Sequence, residues 1–183
     1  MPDFVNKIRL YQDHEPIFDR FEIEKQIEKA LQKKVLLKSG GSLIIESTEA
    51  MTVIDVNTGK FTGTGSLEDT IIKTNLEAAD EIVTQLRLRN IGGLIVIDFI
   101  DMSNSANRQK LSRVLEKTLK ERDKFQSVAL KISEFGIVQM TRKRTGKTLQ
   151  HQLMHTCSCC NGLGRVKGVS TVSFEILKEL RQE

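Results

Sequence analysis

The run LIVIDFI, residues 94–100, limits the folds that are open to this chain. It is short and almost wholly apolar, which is typical of a central strand in a sheet covered on both faces. Asp98 is the one exception, and an ionised carboxylate in such a run needs compensation from a partner, a hydrogen-bond network or a metal. Because ligands of α/β sheets bind at the carboxyl ends of strands, Asp98 is predicted to take part in ligand chemistry.

The segments around this run alternate between helical and strand patterns. Apolar residues recur at helical spacing in three stretches: residues 21–32, about 66–90 and about 104–123. Strand patterns occur in VLLKSGGSLIIES, MTVIDVN, VALKIS and FGIVQMT. This order predicts an α/β fold with a mixed sheet and flanking helices over roughly residues 33–145, and a short terminal helix at 173–180.

A second aspartate, Asp55, stands near the end of the predicted strand MTVIDVN, with Asn57 two residues later on the same face. Two strand-end aspartates that converge on one edge of a sheet are hard oxygen ligands suited to Mg²⁺ or Mn²⁺. Mg²⁺ keeps most of its water and commonly binds one or two carboxylates together with substrate phosphate oxygens. Asp55 and Asp98 therefore predict a phosphate-bearing substrate.

Ordinary structural roles for the acidic residues stay open at this point. Asp55 is also a residue that begins turns, and Asp101 is predicted to cap the following helix, with Ser103 and Asn104 as rivals. Glu49, in the turn before MTVIDVN, is either a further ligand or a solvent-facing residue.

Composition and charge limit the size of the domain, its cellular location and the class of its partner. The chain has 183 residues, 39% of them hydrophobic, which is enough for one domain with a core and a small appendage. It has no apolar stretch of about 18 residues that would span a membrane and no signal peptide, so a cytoplasmic location is predicted. The net charge of +4 fits a nucleic-acid partner. One tyrosine and no tryptophan argue against a broad aromatic platform for single strands.

Basic residues concentrate in TRKRTGK, which contains Arg142 and Arg144. This segment is either a solvated loop or a surface that contacts phosphates.

All three cysteines lie between residues 157 and 160, which excludes a disulfide framework spread through the fold. Cys157 and Cys160 form a C-x2-C pair followed by spaced glycines, the spacing of a zinc knuckle. This pair supplies only two of the ligands of a tetrahedral zinc site. His151 and His155 are one way to complete a Cys2His2 site, and free thiols without a metal are another interpretation.

Four segments of the chain, in this order, resemble the ribonuclease E and ribonuclease G family. They are GGSLIIESTEAMTVIDVNTGKF, KTNLEAADEIVTQLRLRNIGGLIVIDFIDM, ISEFGIVQMTRKR and CSCCNGLG. The similarity extends from about Phe18 to Leu180 and so covers most of the chain. It implies an endoribonuclease of single-stranded RNA, often A/U-rich, that works in rRNA and tRNA processing and mRNA decay.

The resemblance also implies a domain organisation. Residues 1–33 correspond to the end of a ribonuclease-H-like portion and 34–150 to a deoxyribonuclease-I-like catalytic subdomain. Residues 151–167 correspond to a zinc link, and 168–183 to the truncated start of a small C-terminal dimerisation domain. The family's OB-fold module and its pocket for a 5′-monophosphate have no counterpart here, so we expect a fragment with weak activity or none.

Site roles follow from the same resemblance. Asp55 and Asp98 fall on the two aspartates that hold the catalytic Mg²⁺, and their separation of 98 − 55 = 43 residues matches the family without a gap. Asn57 falls on the asparagine of the family's IDxN motif and is expected to position the phosphate or the water. The implied reaction is hydrolysis that leaves a 5′-phosphate and a 3′-hydroxyl. Arg142 and Arg144 then become candidate contacts to RNA phosphates.

For the cysteines, the resemblance implies one Zn²⁺ shared between two subunits, each giving Cys157 and Cys160. It therefore implies a zinc-linked homodimer, and a tetramer in full-length members. Ser158 stands where the family commonly has proline. Two other functions stay open: a zinc-linked oligomerisation or RNA-binding module without catalysis, and a deoxyribonuclease or small phosphoesterase.

Overall fold

The structure is a computed structural model that describes residues 7–59 and 67–181. The chain divides into two compact units, one ending at Gln150 and one beginning at His151. The helices are α1 (Ile17–Arg20), α2 (Ile23–Leu31), α3 (Leu67–Leu88), α4 (Ser105–Arg122), α5 (Leu149–Leu153) and α6 (Val169–Leu180). The strands are β1 (Lys34–Leu36), β2 (Ser42–Ser47), β3 (Met51–Asn57), β4 (Gly93–Asp98), β5 (Ser127–Ala129) and β6 (Ile137–Arg142). Ser66, the predicted start of α3, lies outside the described residues.

The six strands form one sheet in the order β1-β2-β3-β4-β6-β5. Strands β3 and β4 are parallel, and every other neighbouring pair is antiparallel. A parallel pair needs a long crossover connection, which here contains the 22-residue helix α3. The prediction of an α/β fold with a mixed sheet and flanking helices is confirmed.

The hydrophobic core lies on the face of the sheet against which α3 and α4 pack. Ile54 of β3 and Ile95 and Ile97 of β4 are fully buried there, in one cluster with the apolar residues of both helices. The alternate residues of these strands lie on the other face and are half-buried or exposed. We call this second side the open face; at its centre it carries Val53, Val96 and Gln139, which are register partners across three strands.

Strand β4 therefore differs from the expectation of a strand covered on both faces. Leu94 is 39% exposed, and Asp98 is the last residue of the strand and also exposed. The continuous apolar run conceals the alternation, because Leu94 and Val96 on the open face are as apolar as the core residues between them. Asp98 thus lies at the rim of the sheet, where its carboxylate reaches solvent.

The start of α4 corrects a second expectation. Asn104 is the N-cap, and its side-chain oxygen accepts a hydrogen bond from the Ala106 N–H at 2.9 Å, so the prediction that Asp101 caps this helix was wrong. Phe99 and Met102 are each 2% exposed and fill the core beyond the end of β4. Residues 99–102 therefore form a connection whose apolar side chains are buried in the core, and α4 begins only after it, at Ser105.

Candidate functional site

Asp55 and Asp98 are register partners in the parallel pair β3–β4 and lie on the open face of the sheet. Neighbouring strands are about 4.8 Å apart, so the two carboxylates project side by side from adjacent backbones. The α3 crossover produces this placement, because it returns the chain so that β4 runs parallel to β3 and both strands end at the same edge. The two aspartates predicted from sequence are thus brought together.

Electrostatics at this edge favour the binding of a cation. Partial desolvation of its carboxylate and the neighbouring charges of Asp55 and Asp101 raise the pKa of Asp98 above its ordinary value. Like charges held this close disfavour ionisation, and a divalent cation between them would relieve the repulsion. The donor set is two hard carboxylate oxygens, which fits Mg²⁺ or Mn²⁺.

Asn57 orients the site through one of its aspartates. Its side-chain amide donates a hydrogen bond of 2.7 Å to Oδ2 of Asp55, two residues earlier on the same face. This bond restricts the rotation of the Asp55 carboxylate and directs its second oxygen away from Asn57. Residues 60–66, which follow the end of β3, lie outside the described residues.

The backbone that follows Asp98 is held by a buried asparagine on α3. Asn75 is fully buried, and its side chain donates to the Ile100 carbonyl at 2.8 Å and accepts from the Ile100 N–H at 3.1 Å. Arg108 adds hydrogen bonds to the carbonyls of Met102 and Ser103. The segment that carries Asp98 is therefore fixed to both helices of the core.

Sequence reasoning missed Asn75. The available signal was its position three residues after Ile72, in phase with the apolar stripe of α3, where an amide must find buried partners. Glu49, which the sequence left open as a ligand, lies in the turn before β3, at the opposite end of that strand from Asp55. Glu49 therefore takes no part in this site.

The structure corrects the prediction that Arg142 contacts RNA. Its side chain is 0% exposed and makes a two-pronged ion pair with Asp123, with Nε–Oδ2 and Nη2–Oδ1 distances of 2.6 and 3.0 Å. Nη1 donates to the Ile91 carbonyl at 2.6 Å, and the guanidinium stacks on the Phe125 ring at 4.8 Å from its centroid. Arg142 thus ties β6 to the ends of α3 and α4 and is not available to a phosphate.

Arg144, the second predicted RNA contact, is exposed. The Nε–Nη2 edge of its guanidinium faces Gly93: a Cβ on this glycine would lie 2.6 Å from both Nε and Nη2. Gly93 also has φ of +97°, so the close approach and the backbone conformation both require glycine. Arg144 lies at the start of β4, about 17 Å along the strand from Asp98 at about 3.3 Å per residue. It is too far away to share a phosphate with the carboxylates.

The cysteines belong to the second unit. The N–H groups of Cys160 and Cys159, together with the Cys160 thiol, lower the pKa of the Cys157 thiol below its ordinary value. The Gly164 N–H donates to Sγ of Cys160 at 3.3 Å. Hydrogen bonds of this kind favour thiolates, which are the form that binds zinc. In the part of the chain that the structure describes, no three His, Cys, Asp or Glu side chains are grouped to hold a metal.

Comparison with known proteins identifies the family. The sequence profile described as the Ribonuclease E/G family matches residues 1–145. The chain is 48% identical over 180 residues to Ribonuclease G of Salmonella typhimurium (strain SL1344), which covers 98% of this chain and 37% of that protein. Ribonuclease G of Escherichia coli (strain K12) gives the same values. Ribonuclease E of the same strain is 44% identical over 182 residues, covering 100% of this chain and 17% of that protein.

This chain belongs to the ribonuclease E/G family, as its motifs predict. It spans a little over a third of the length of the ribonuclease G relatives that it matches. Across the described residues, we find no helix that is long and apolar enough to cross a membrane.

Proposed function

We propose that this chain carries the cleavage site of a divalent-metal-dependent endoribonuclease. The observation that carries the proposal is the register of Asp55 against Asp98 at the carboxyl edge of the only parallel strand pair among the described strands. Relatives named Ribonuclease G and Ribonuclease E, 44–48% identical over nearly the whole chain, support RNA as the substrate. The substrate class is single-stranded RNA, cleaved to leave a 5′-phosphate and a 3′-hydroxyl.

In this proposal, Asp55 and Asp98 are the residues that hold the metal. When Mg²⁺ is bound, it supplies charge neutralisation at the scissile phosphate and lowers the pKa of a water ligand. Asn57 keeps the Asp55 carboxylate in a fixed orientation through its 2.7 Å hydrogen bond. Asn75 fixes the backbone beyond Asp98 from inside the core. The open face, on which the two carboxylates lie, is the side of the sheet opposite to α3 and α4.

The wider setting is part of the same proposal. It assigns residues 34–150 to a deoxyribonuclease-I-like catalytic subdomain between the end of a ribonuclease-H-like portion and a zinc link. It places the parent protein in the cytoplasm, in RNA processing and decay. Mutual repulsion of the two carboxylates and the hard-oxygen donor set support a magnesium site, and the exposed Arg144 supports a phosphate contact remote from it.

A second function, zinc-linked assembly, is supported by a separate observation. The hydrogen bonds to the sulfurs of Cys157 and Cys160 favour a metal-binding turn in the second unit. Two thiolates from each of two copies would complete a tetrahedral Zn²⁺ and link the copies into a dimer. This assembly does not depend on cleavage, because the cysteines belong to a different compact unit from the aspartates.

One assay tests the proposed activity. A single-stranded RNA oligonucleotide with a 5′-monophosphate, and DNA of the same sequence, are incubated with the chain with and without Mg²⁺. We expect slow cleavage of the RNA only, dependent on Mg²⁺, with a 3′-hydroxyl on the upstream product. Cleavage that persists in EDTA, or in the Asp98→Asn variant, would overturn the assignment of the site. Equal cleavage of the DNA would favour a deoxyribonuclease or a general phosphoesterase.

A further inference from the structure

An exposed phenylalanine lies in a connection that reaches the edge of the sheet carrying the two aspartates, and neither the proposed chemistry nor the core packing uses its ring. Phe135 lies in the connection between β5 and β6 and is 75% exposed. A phenylalanine exposed to this degree contributes little to folding, since the burial of its ring is the main way in which it stabilises a protein.

The sheet register places Phe135 at the carboxylate edge. Ile137, two residues after Phe135, is the register partner of Asp98 in the antiparallel pair β4–β6. The backbone of Phe135 therefore lies within about 10 Å of the backbone of Asp98. Gly136, the residue after Phe135, is also close to this edge. Its carbonyl accepts a hydrogen bond of 3.2 Å from the N–H of Phe99, the residue after Asp98.

The turn that carries Phe135 is rigidly held. The Ser133 N–H donates to the Ile137 carbonyl at 2.9 Å, the Ile137 N–H donates to the Ser133 hydroxyl at 3.1 Å, and the Gly136 N–H donates to the Ser133 carbonyl at 3.2 Å. Gly136 has φ of +75°, and a Cβ there would lie 2.6 Å from the Phe99 carbonyl oxygen. The turn thus fits tightly against the β4–α4 connection and presents the Phe135 side chain outward.

We infer that Phe135 is a stacking platform for a nucleobase of the RNA strand next to the scissile phosphate. This inference rests on the proposed function. Base–aromatic stacking is a principal source of affinity for single strands and tolerates any base, because every base has a π-face. A nucleobase also suits the local charge: the carboxylates of Asp55, Asp98 and Asp101 repel phosphates in the absence of metal, but they do not repel an uncharged ring.

The absence of tryptophan in the chain permits a direct test. In Phe135→Trp, the new indole is the only tryptophan, and stacking with a base quenches its fluorescence. The matched control is Phe21→Trp, at a phenylalanine that is 59% exposed between α1 and α2. Both proteins are titrated with single-stranded oligo(A) RNA in EDTA, so that binding is measured without cleavage, and with an abasic ribose-phosphate strand of the same length.

We expect oligo(A) to quench Phe135→Trp and not Phe21→Trp, and the abasic strand to quench neither. Phe135→Ala should bind oligo(A) about 5- to 150-fold more weakly than the unchanged chain, at low and at high salt alike, and should bind the abasic strand equally well. Its unfolding midpoint should not change, since the ring is exposed.

Two results would overturn this inference and leave the proposed function standing. One is equal binding of oligo(A) by Phe135→Ala and the unchanged chain. The other is quenching of Phe135→Trp that depends on protein concentration and not on RNA. The second result would mean that a protein surface covers the ring. If the unchanged chain binds no RNA at all, the proposed RNA substrate fails, and this inference fails with it.

Discussion

Asp55 and Asp98 face the same side of the sheet as direct register partners, although 43 residues (98 − 55) separate them in the chain. Their juxtaposition depends on two features together: the α3 crossover that makes β3 and β4 parallel, and the position of each aspartate at or near the end of its strand. The charge of Asp55 contributes to the raised pKa of Asp98, so the pair is electrostatically coupled as well as adjacent. The first prediction follows from this coupling.

Asp98→Asn should abolish cleavage and slightly stabilise the fold. Loss of one of two carboxylate ligands should lower the rate at least about 100-fold. Without Mg²⁺, the same change removes like-charge repulsion at the edge of the sheet, so the midpoint of thermal unfolding should rise by about 1–3 °C. Asp101→Asn, three residues later in an exposed position, is the matched control and should keep cleavage within a few-fold of the unchanged chain. An Asp98→Asn protein that is folded and active would contradict the site.

Asn75→Ala should weaken metal binding as well as the fold. The change leaves the Ile100 N–H and carbonyl without their partner and should cost about 2–4 kcal/mol of unfolding free energy. Because the backbone beyond Asp98 is then less fixed, the concentration of Mg²⁺ needed for half-maximal cleavage should rise about 10- to 100-fold. Thr74→Val is the control: Thr74 is buried next to Asn75 in the chain, and its replacement should affect stability alone. Equal Mg²⁺ requirements in both variants would argue against a positioning role for Asn75.

Much of the fold and the aspartate pair could be predicted because both depend on local patterns. The alternation in β3 and the apolar stripe of α3 define a β-α-β unit, and strand ends in such a unit share an edge.

The burial of Arg142 was not predicted, because a run of basic residues is typical of a solvated loop. A signal was nevertheless present: Arg142 is in phase with Val138 and Met140, which alternate into the core along β6. Its partner Asp123 lies 19 residues earlier, and only the tertiary fold brings the two together.

The buried ion pair of Asp123 and Arg142 should make stability depend on pH. Burial raises the pKa of Asp123, but hydrogen bonds from Arg142 and the Phe125 N–H, with the charges of Arg142 and Arg87, outweigh it and hold that pKa below its ordinary value. A lowered pKa in the folded state means that the pair stabilises the protein fully above the unfolded pKa of about 3.9, and that this stability is lost as the pH falls through the folded value.

Asp123→Asn should therefore lower the unfolding free energy by about 3–5 kcal/mol at pH 7, because it leaves the Arg142 guanidinium buried without its counter-charge. The difference from the unchanged chain should shrink below about pH 4. Urea unfolding at several pH values between about 3 and 7 measures both effects. A difference that stays constant over this range would mean that the carboxylate charge does not stabilise the pair.

Arg144→Gln should reduce the salt dependence of RNA binding. Arg144 is exposed and lies against Gly93 at the end of β4 opposite to Asp98, where it can contact a phosphate remote from the cleavage site. Loss of one phosphate contact should make the slope of log K against log salt about 0.7 less steep for a single strand. Arg20→Gln, an exposed arginine paired with Asp13, is the control and should leave the slope unchanged. An unchanged slope in Arg144→Gln would remove this residue from the RNA contact surface.

Zinc content should distinguish a shared site from a site within one chain. If two copies share one Zn²⁺ through Cys157 and Cys160, the metal-to-protomer ratio should be near one half, and the zinc-loaded protein should sediment as a dimer. The hydrogen-bonded thiols of the turn favour such binding, and the described residues of one chain supply no third ligand to it. Cys157→Ser should lose both the zinc and the dimer, whereas Cys159→Ser should keep them. A ratio near one that falls in His151→Ala or His155→Ala would instead assign the metal to a Cys2His2 site within each chain.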